Sequence, residues 1–252
     1  MQLYQALELQ PTEVVSFCGG GGKTSTIQRL CAELRALNRT VISTVTTRIG
    51  SDQTDGMEPV LIGGETHISP VHADQIRETV LQHRWALVAA NSEATKLSGL
   101  NPNAVCELRT LADYILVEAD GARTMPLKAP AEYEPVVPEC TTLVVVLVGI
   151  DAIGRSILPG QVHRPEQICR LTDAKSGDLV SPELVATLIV HLEGLFKGTP
   201  PTARKAVIVN KIVDAIGISH ADQLAATLRL LDCDVPVILA DTRAAVPVLY
   251  KH

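Results

Sequence analysis

One short run combines residue types that bind phosphate: Gly19, Gly20, Gly21, Gly22, Lys23, Thr24 and Ser25. Glycines let the backbone approach an anion closely and turn its N–H groups inward. A lysine at the start of a helix can reach the β- and γ-phosphates of a nucleotide, and the hydroxyl of the next residue can ligate Mg²⁺. The run therefore predicts that residues 19–25 bind ATP or GTP with Mg²⁺.

The spacing of this run is shorter than the strict pattern GxxxxGK[ST]. Phe17 stands where that pattern requires its first glycine, so the run is GxxGKT. A plain alternative is a glycine-rich turn that only connects a strand to a helix and leaves Lys23 in solvent. Four glycines in a row cost conformational entropy on folding, which favours the functional interpretation.

Acidic residues follow a second apolar run, Tyr114 to Val117, as Glu118-Ala119-Asp120-Gly121. Because Glu118 and Asp120 are two residues apart, an extended chain would point both to the same side. A phosphate loop needs a neighbouring carboxylate to hold the metal or to orient the nucleophile. We expect both residues to serve there, the alternative being a solvated strand end.

Hydroxyl groups and one cation end a third apolar run, at Thr46, Thr47 and Arg48. We expect Thr46 or Thr47 to contact the metal or the γ-phosphate. Arg48 is a candidate catalytic residue beside Lys23, because a guanidinium can stabilise charge on a transferring phosphoryl group. Threonine is also simply a good strand former, which is the structural alternative.

Two further cations, Arg123 and Lys128, follow the acidic pair closely and predict an anion site for a second substrate. The alternative is that they are solvated loop residues.

Asn210 and Lys211 end another apolar run and are similar to the start of NKxD, a guanine-reading pattern. Val213 stands where that pattern has its acid, which is displaced to Asp214, so selectivity for GTP does not follow. We expect Asn210 or Asp214 to approach the base or ribose, with Lys211 beside Asn210 in the nucleotide site, the alternative being an ordinary strand-to-helix loop.

Apolar runs of strand length alternate with amphipathic segments from residue 14 onward, as is typical of βα units. The strand-like runs are Val14 to Cys18, Val41 to Thr44, Ala86 to Ala89, Tyr114 to Val117, Leu143 to Val148, Ala206 to Val209 and Val235 to Leu239. The helical patterns cover Thr24 to Leu37, His72 to His83, Ser181 to Leu192 and Ser219 to Leu231.

This order predicts an α/β fold of the P-loop NTPase-like type, a mainly parallel sheet with helices on both faces. We expect one domain over residues 1–252, with loop insertions near 122–142 and 149–165. Whether residues 125–140 form a lid does not follow from the sequence.

The net charge of −6 and the lack of a Lys/Arg cluster argue against nucleic acid as a partner. The first residues form no signal peptide and Leu143 to Ile150 is too short to span a bilayer, so we expect a cytoplasmic protein without a membrane segment. The six cysteines form no CxxC pair, which predicts small buried residues; redox sensitivity of Cys18 is a lesser alternative.

Six segments together resemble the YqeC family: residues 18–24, 41–48, 117–123, 126–130 and 134–138, and Asn210-Lys211. The family is described as accessory proteins of selenium-dependent molybdenum hydroxylases. The resemblance implies nucleotide binding through Gly19, Gly22, Lys23 and Thr24, with the acidic pair Glu118 and Asp120. It also implies a role in maturation of the hydroxylase or its cofactor, with a client hydroxylase or maturation protein as partner.

A weaker similarity, in loop order alone, is to the central domain of the Mur ligases, and it slightly favours ATP. The residues fit a Mg²⁺-dependent nucleoside triphosphatase or phosphoryl-transfer protein. Two alternatives stay open: a nucleotide-dependent chaperone or switch that scarcely hydrolyses, and a small-molecule kinase or ATP-dependent ligase.

Overall fold

Seven of the apolar runs form neighbouring strands of one sheet in a computed structural model of the protein. The structure describes residues 1–50, 59–64, 66–93 and 96–252. The strands are β1 Val14–Gly19, β2 Val41–Val45, β3 Arg48–Gly50, β4 Val60–Leu61, β5 Trp85–Ala89, β6 Ser92–Glu93, β7 Lys96–Ser98, β8 Tyr114–Glu118, β9 Leu143–Gly149, β10 Arg204–Asn210, β11 Val237–Ala240 and β12 Val248–Lys251.

The main sheet has the strand order β12-β11-β10-β9-β1-β8-β2-β5-β4 across the described residues. Its neighbours pair in parallel, except that β12 runs antiparallel to β11 at one edge. A small antiparallel sheet joins β3, β7 and β6. The predicted mainly parallel sheet is therefore confirmed.

The helices begin where the sequence offers caps or prolines. They are α1 Leu3–Ala6, α2 Lys23–Ala36, α3 Pro70–His83, α4 Pro102–Glu107, α5 Pro165–Thr172, α6 Pro182–Val190 and α7 Ala215–Leu230. Ser69, Ser181 and Asp214 each accept a hydrogen bond from a backbone N–H in the first turn of the helix that follows. Over the described ranges, no helix is both long and apolar enough to cross a membrane.

Both faces of the sheet are covered, as the side chains of β9 show. Leu143, Val145 and Leu147 pack in a core that includes residues of α1 and α2. Val144 and Val146, which alternate with them, pack in a second core with residues of α5, α6 and α7. Alternate residues of a strand point to opposite faces, so this fully buried strand lies between two helical layers. The predicted α/β fold class is confirmed.

The two expected loop segments lie against each other. Residues 119–142 and 153–164 form no helix and no strand longer than an isolated bridge. One such bridge joins Lys128 to His163, with the His163 N–H donating to the Leu127 carbonyl at 2.9 Å. The first loop also contacts residues 19–22, since the Met125 carbonyl accepts from the Gly21 N–H at 3.0 Å.

No disulfide was predicted from the sequence, but two of the six cysteines form one. Cys106, in α4, and Cys140, just before β9, form a disulfide across a sequence separation of 34 residues. Nothing local marks this pair, because the fold alone brings the segments together. Cys18 is buried, and burial, followed by the charge of Asp120, holds the pKa of its thiol well above the usual value, which disfavours the reactive thiolate.

Candidate functional site

The glycine run forms the turn between β1 and α2 at the carboxyl edge of the sheet. Gly22 caps α2 with a φ of 119°. Gly21 has a φ of 83°, and a Cβ there would lie 2.1 Å from the Gly149 nitrogen. Other residues fit neither the backbone nor the space at these positions. The turn thus exposes the first N–H groups of α2, which have no acceptor within the helix, and such groups favour an anion.

Three glycine N–H groups hold the loop in place instead of facing outward. The Gly20 N–H donates to the Leu147 carbonyl and the Gly21 N–H donates to the Met125 carbonyl, both at 3.0 Å. The Gly19 N–H donates to Asp120 Oδ2, also at 3.0 Å. The N–H groups of Gly19, Gly20 and Gly21 are therefore used within the protein, whereas the first N–H groups of α2 have no acceptor in their own helix.

Lys23 is buried at the centre of the site. Its Nζ donates to the Gly19 carbonyl at 2.6 Å and lies 3.1 Å from Asp120 Oδ1 and 3.8 Å from Glu118 Oε1. Burial alone would lower the pKa of Lys23, but the two carboxylates outweigh it and raise that pKa. Lys23 is therefore a fixed positive charge at neutral pH.

Glu118 and Thr24 meet across the boundary between β8 and α2. Thr24 Oγ1 donates to Glu118 Oε2 at 2.9 Å. Glu118 is buried, and this burial raises the pKa of its carboxyl even though Lys23 and the Thr24 hydroxyl act in the opposite direction. The structure thus brings together four residues that the sequence singled out, because parallel neighbours β1 and β8 end at the same edge of the sheet.

The oxygen atoms of Thr24, Glu118 and Asp120 suit a hard cation such as Mg²⁺. In the part of the chain that the structure describes, no group of three or more His, Cys, Asp or Glu side chains forms a metal cage. Mg²⁺ does not need such a cage, since it commonly binds one or two carboxylates together with water and substrate phosphates. The residues therefore fit Mg²⁺ that arrives with a nucleotide.

Lys128 lies inside the protein, in contrast to the predicted contact with a second substrate. It is fully buried, and its Nζ donates to the Gly121 carbonyl at 2.8 Å and to Glu134 Oε2 at 2.6 Å. Asp120 Oδ2 lies 3.1 Å away. An ammonium group has three donors, and here each faces a protein oxygen. Lys128 therefore supports the loop, and its contact with a second substrate stays a prediction.

Arg123, the other predicted second-substrate cation, is exposed in the turn that follows the acidic pair, with a φ of 48°. Its position remains compatible with that prediction.

Sequence reasoning missed Glu134, Arg164 and His163. Arg164 donates to Glu134 as well as to the Ala129 carbonyl. Burial alone would raise the pKa of Glu134, but Arg164 and Lys128 lower it to about 2. Burial, followed by the charges of Arg164, Lys128 and Arg123, lowers the pKa of His163 to about 4. Glu134 belongs to a segment that the family resemblance includes, whereas the two later residues carry no local signal.

The threonines after β2 take different partners. Thr46 Oγ1 donates to the Val136 carbonyl at 2.7 Å, and the Thr46 N–H donates to the Glu118 carbonyl at 3.1 Å. Thr47 Oγ1 is buried and finds no hydrogen-bond partner among the described residues. Thr47 is thus better placed than Thr46 to supply a hydroxyl. Arg48 is exposed at the start of β3.

Asn210 supports the phosphate loop from the opposite side. Its Nδ2 donates to the Gly21 carbonyl at 2.8 Å, and its Oδ1 accepts from the Thr242 N–H at 3.0 Å. Both ends of this buried amide bond to the protein, so Asn210 supports the turn, and its contact with a base or ribose stays a prediction. Lys211 Nζ lies 3.1 Å from Asp151 Oδ2.

Comparison with known proteins identifies the family of the chain. The family model described as "YqeC protein" matches residues 15–166, which include the phosphate loop, both acidic residues and the Lys128–Glu134–Arg164 cluster. The chain is also similar to "Uncharacterized protein YqeC" of Escherichia coli (strain K12), with 30% identity over 209 residues that cover 80% of this chain and 77% of the relative. The chain therefore belongs to the YqeC family.

Proposed function

We propose that the protein binds a nucleoside triphosphate with Mg²⁺ at residues 19–25 and hydrolyses it or transfers its terminal phosphoryl group. One observation carries the proposal: Lys23 is buried at the junction of a glycine turn and a helix, with its Nζ 3.1 Å from Asp120 and 3.8 Å from Glu118. A solvated connecting turn has no need of a buried lysine held between carboxylates, because burying charges is costly.

The balance of charge supports a metal requirement. Lys23, Lys128 and Arg164 are matched by three carboxylates, those of Glu118, Asp120 and Glu134, in one set of contacts. These three cations are therefore already neutralised by carboxylates of the protein. A triphosphate adds several negative charges, which Mg²⁺ would offset when bound beside Thr24 and the carboxylates.

The same residues suggest the division of labour. Lys23 would exchange the Gly19 carbonyl for phosphate oxygens and hold them against the start of α2. Glu118, whose pKa is raised by burial, is placed to accept a proton from the attacking nucleophile. Asp120 would keep Lys23 oriented. Exposed Arg48 and Arg123 are candidates to contact the transferring group or an acceptor.

The biological role is proposed from the family resemblance: an accessory factor in maturation of a selenium-dependent molybdenum hydroxylase or its cofactor, in the cytoplasm. A producing cell in which Thr24→Val replaces the wild type should then accumulate inactive hydroxylase. Normal hydroxylase activity in that cell would contradict this role and leave nucleotide binding to be judged separately.

The binding proposal is tested by calorimetric titration of ATP and GTP with Mg²⁺ and with EDTA. Thr24→Val keeps the side-chain volume and removes the hydroxyl, so affinity with Mg²⁺ should fall at least about tenfold, the effect of roughly 1.4 kcal/mol. Thr79→Val is the matched control, since the Thr79 hydroxyl donates only to a carbonyl of its own helix. Equal affinities for the two variants would overturn the assignment of Thr24.

A further inference from the structure

Two loops beside the phosphate loop are tied to it by one side chain. Asn210 ends β10 and hydrogen-bonds both Gly21 and Thr242, as described above. Its Nδ2 is also close enough to the loop that a Cβ on Gly22 would lie 2.7 Å from it. The segments that follow β10 and β11 therefore meet at the phosphate loop, at the carboxyl ends of parallel strands where ligands of such sheets bind.

Polar atoms without partners lie in these segments. Thr242 is 4% exposed, and its Oγ1 is buried without a hydrogen-bond partner in the described part of the chain. Asp151 Oδ1, at the end of neighbouring β9, is likewise buried and unpartnered within the described ranges. Buried polar atoms are nearly always satisfied in native proteins, so each of these atoms has a hydrogen bond left to make with a ligand or a water.

Apolar surface adjoins these atoms at the start of α7. Val213, three residues after β10, is 80% exposed, and Ile216, in the first turn of α7, is 67% exposed. Lys211, which follows β10 directly, has its Nζ 3.1 Å from Asp151 Oδ2 and a side chain that is 39% exposed, so its aliphatic stem is available for packing. Apolar side chains and a lysine stem suit the face of a flat aromatic ring.

From these observations we propose that the base and ribose of the bound nucleotide lie against Lys211, Val213 and the segment 241–244, and that this site does not select guanine over adenine. The inference rests on the proposed binding of a nucleoside triphosphate, and it adds the location and chemical class of base recognition.

The lack of selection between guanine and adenine follows from the positions and partners of the nearby carboxylates. Guanine presents N–H donors on its pairing edge, which a carboxylate must accept for strong selection, and Val213 has no acceptor. Asp214, the next residue, instead caps α7, with its Oδ1 accepting from the Gly217 N–H at 2.8 Å. Asp151 Oδ2 is held by Lys211 and Arg155, so this carboxylate has only Oδ1 left, whereas the two N–H donors of guanine need both oxygens of one carboxylate.

The test compares Val213→Asp with Leu192→Asp, in which an equal charge enters at a 91% exposed residue after α6. Dissociation constants are measured for ATP and GTP with Mg²⁺. The wild type and Leu192→Asp should show a GTP/ATP affinity ratio near unity. In Val213→Asp the ratio should rise about tenfold in favour of GTP, because a charged acceptor then meets the guanine donors.

Two outcomes would overturn the inference while leaving the proposed function intact: strong guanine selection by the wild type, or an identical ratio in Val213→Asp and Leu192→Asp. If the wild type bound neither nucleotide, the proposed function itself would fail.

Discussion

Asp120 and Lys128 form an ion pair in which both side chains are about 1% exposed or less, with Lys128 Nζ 3.1 Å from Asp120 Oδ2. The other oxygen of the same carboxylate lies 3.1 Å from Lys23 Nζ. One carboxylate therefore connects the lysine of the phosphate loop to residues 121–134. Lys128 and Glu134 continue this connection to Arg164. Movement of Lys23 toward a phosphate would therefore change the ion pairs of the connected residues.

Replacement of Lys128 should destabilise the fold. Lys128→Ala leaves Asp120 and Glu134 without a shared cation in a buried setting, and breaking such pairs costs about 3–5 kcal/mol. Urea unfolding measures this loss. Lys175→Ala removes an exposed lysine and should change the free energy of unfolding by less than about 0.5 kcal/mol. A similar, small change in both variants would show that the buried pair contributes nothing.

His163 should make stability depend on pH. Its pKa is lowered to about 4, by burial and then by Arg164, Lys128 and Arg123, with Glu134 opposing. The unfolded chain therefore binds the proton more readily, and stability falls as pH drops from about 6.5 toward 4. After allowance for solvent screening of this half-buried group, the loss is about 1–2 kcal/mol.

His163→Gln should remove that part of the pH dependence, whereas His83→Gln, at an exposed residue, should leave it in place. Urea unfolding at a series of pH values is the measurement. Parallel pH profiles for the wild type and His163→Gln would contradict the prediction.

The disulfide should stabilise protein that is purified without reductant. Closing a loop of 34 residues removes entropy from the unfolded chain worth about 3–4 kcal/mol. Cys140→Ser should lose this stability, and the difference from the wild type should disappear with reductant present. Cys233→Ser, at a partly buried and unbridged cysteine, is the control. Equal unfolding free energies for Cys140→Ser and the wild type without reductant would count against the bridge.

The sequence predicted the central strands well because each is buried on both faces, so its apolar run is continuous. It missed β12, where Leu249 and Tyr250 are half exposed on an antiparallel edge strand. It also missed α5, a helix of 8 residues that begins at Pro165, directly after a glycine- and proline-rich loop. Short elements of this kind carry too few periodic positions to stand out.

The site residues that could be predicted are those that lie close together in the sequence. Residues 19–25 and the Glu118/Asp120 pair each form a short motif at the end of an apolar run, so both could be recognised in the sequence. The two strands that carry them are neighbours in the sheet. Glu134, Arg164 and Asn210 support the site through hydrogen bonds between residues that are 30 or more positions apart in the sequence. Residue types alone therefore suggested a ligand role for Lys128 and Asn210, while the tertiary structure uses both to hold the loop.

Thermal unfolding with Mg²⁺ and a nucleoside triphosphate tests the central claim most directly. At a nucleotide concentration of about one hundred times Kd, the free energy of unfolding of the wild type should increase by roughly 2.7 kcal/mol. This corresponds to a rise in Tm of about 5–11 °C. Lys23→Ala should show no rise above its own baseline, and Lys175→Ala should respond like the wild type. If neither ATP nor GTP raised the Tm of the wild type, or if Lys23→Ala responded equally, residues 19–25 would not be a nucleotide site.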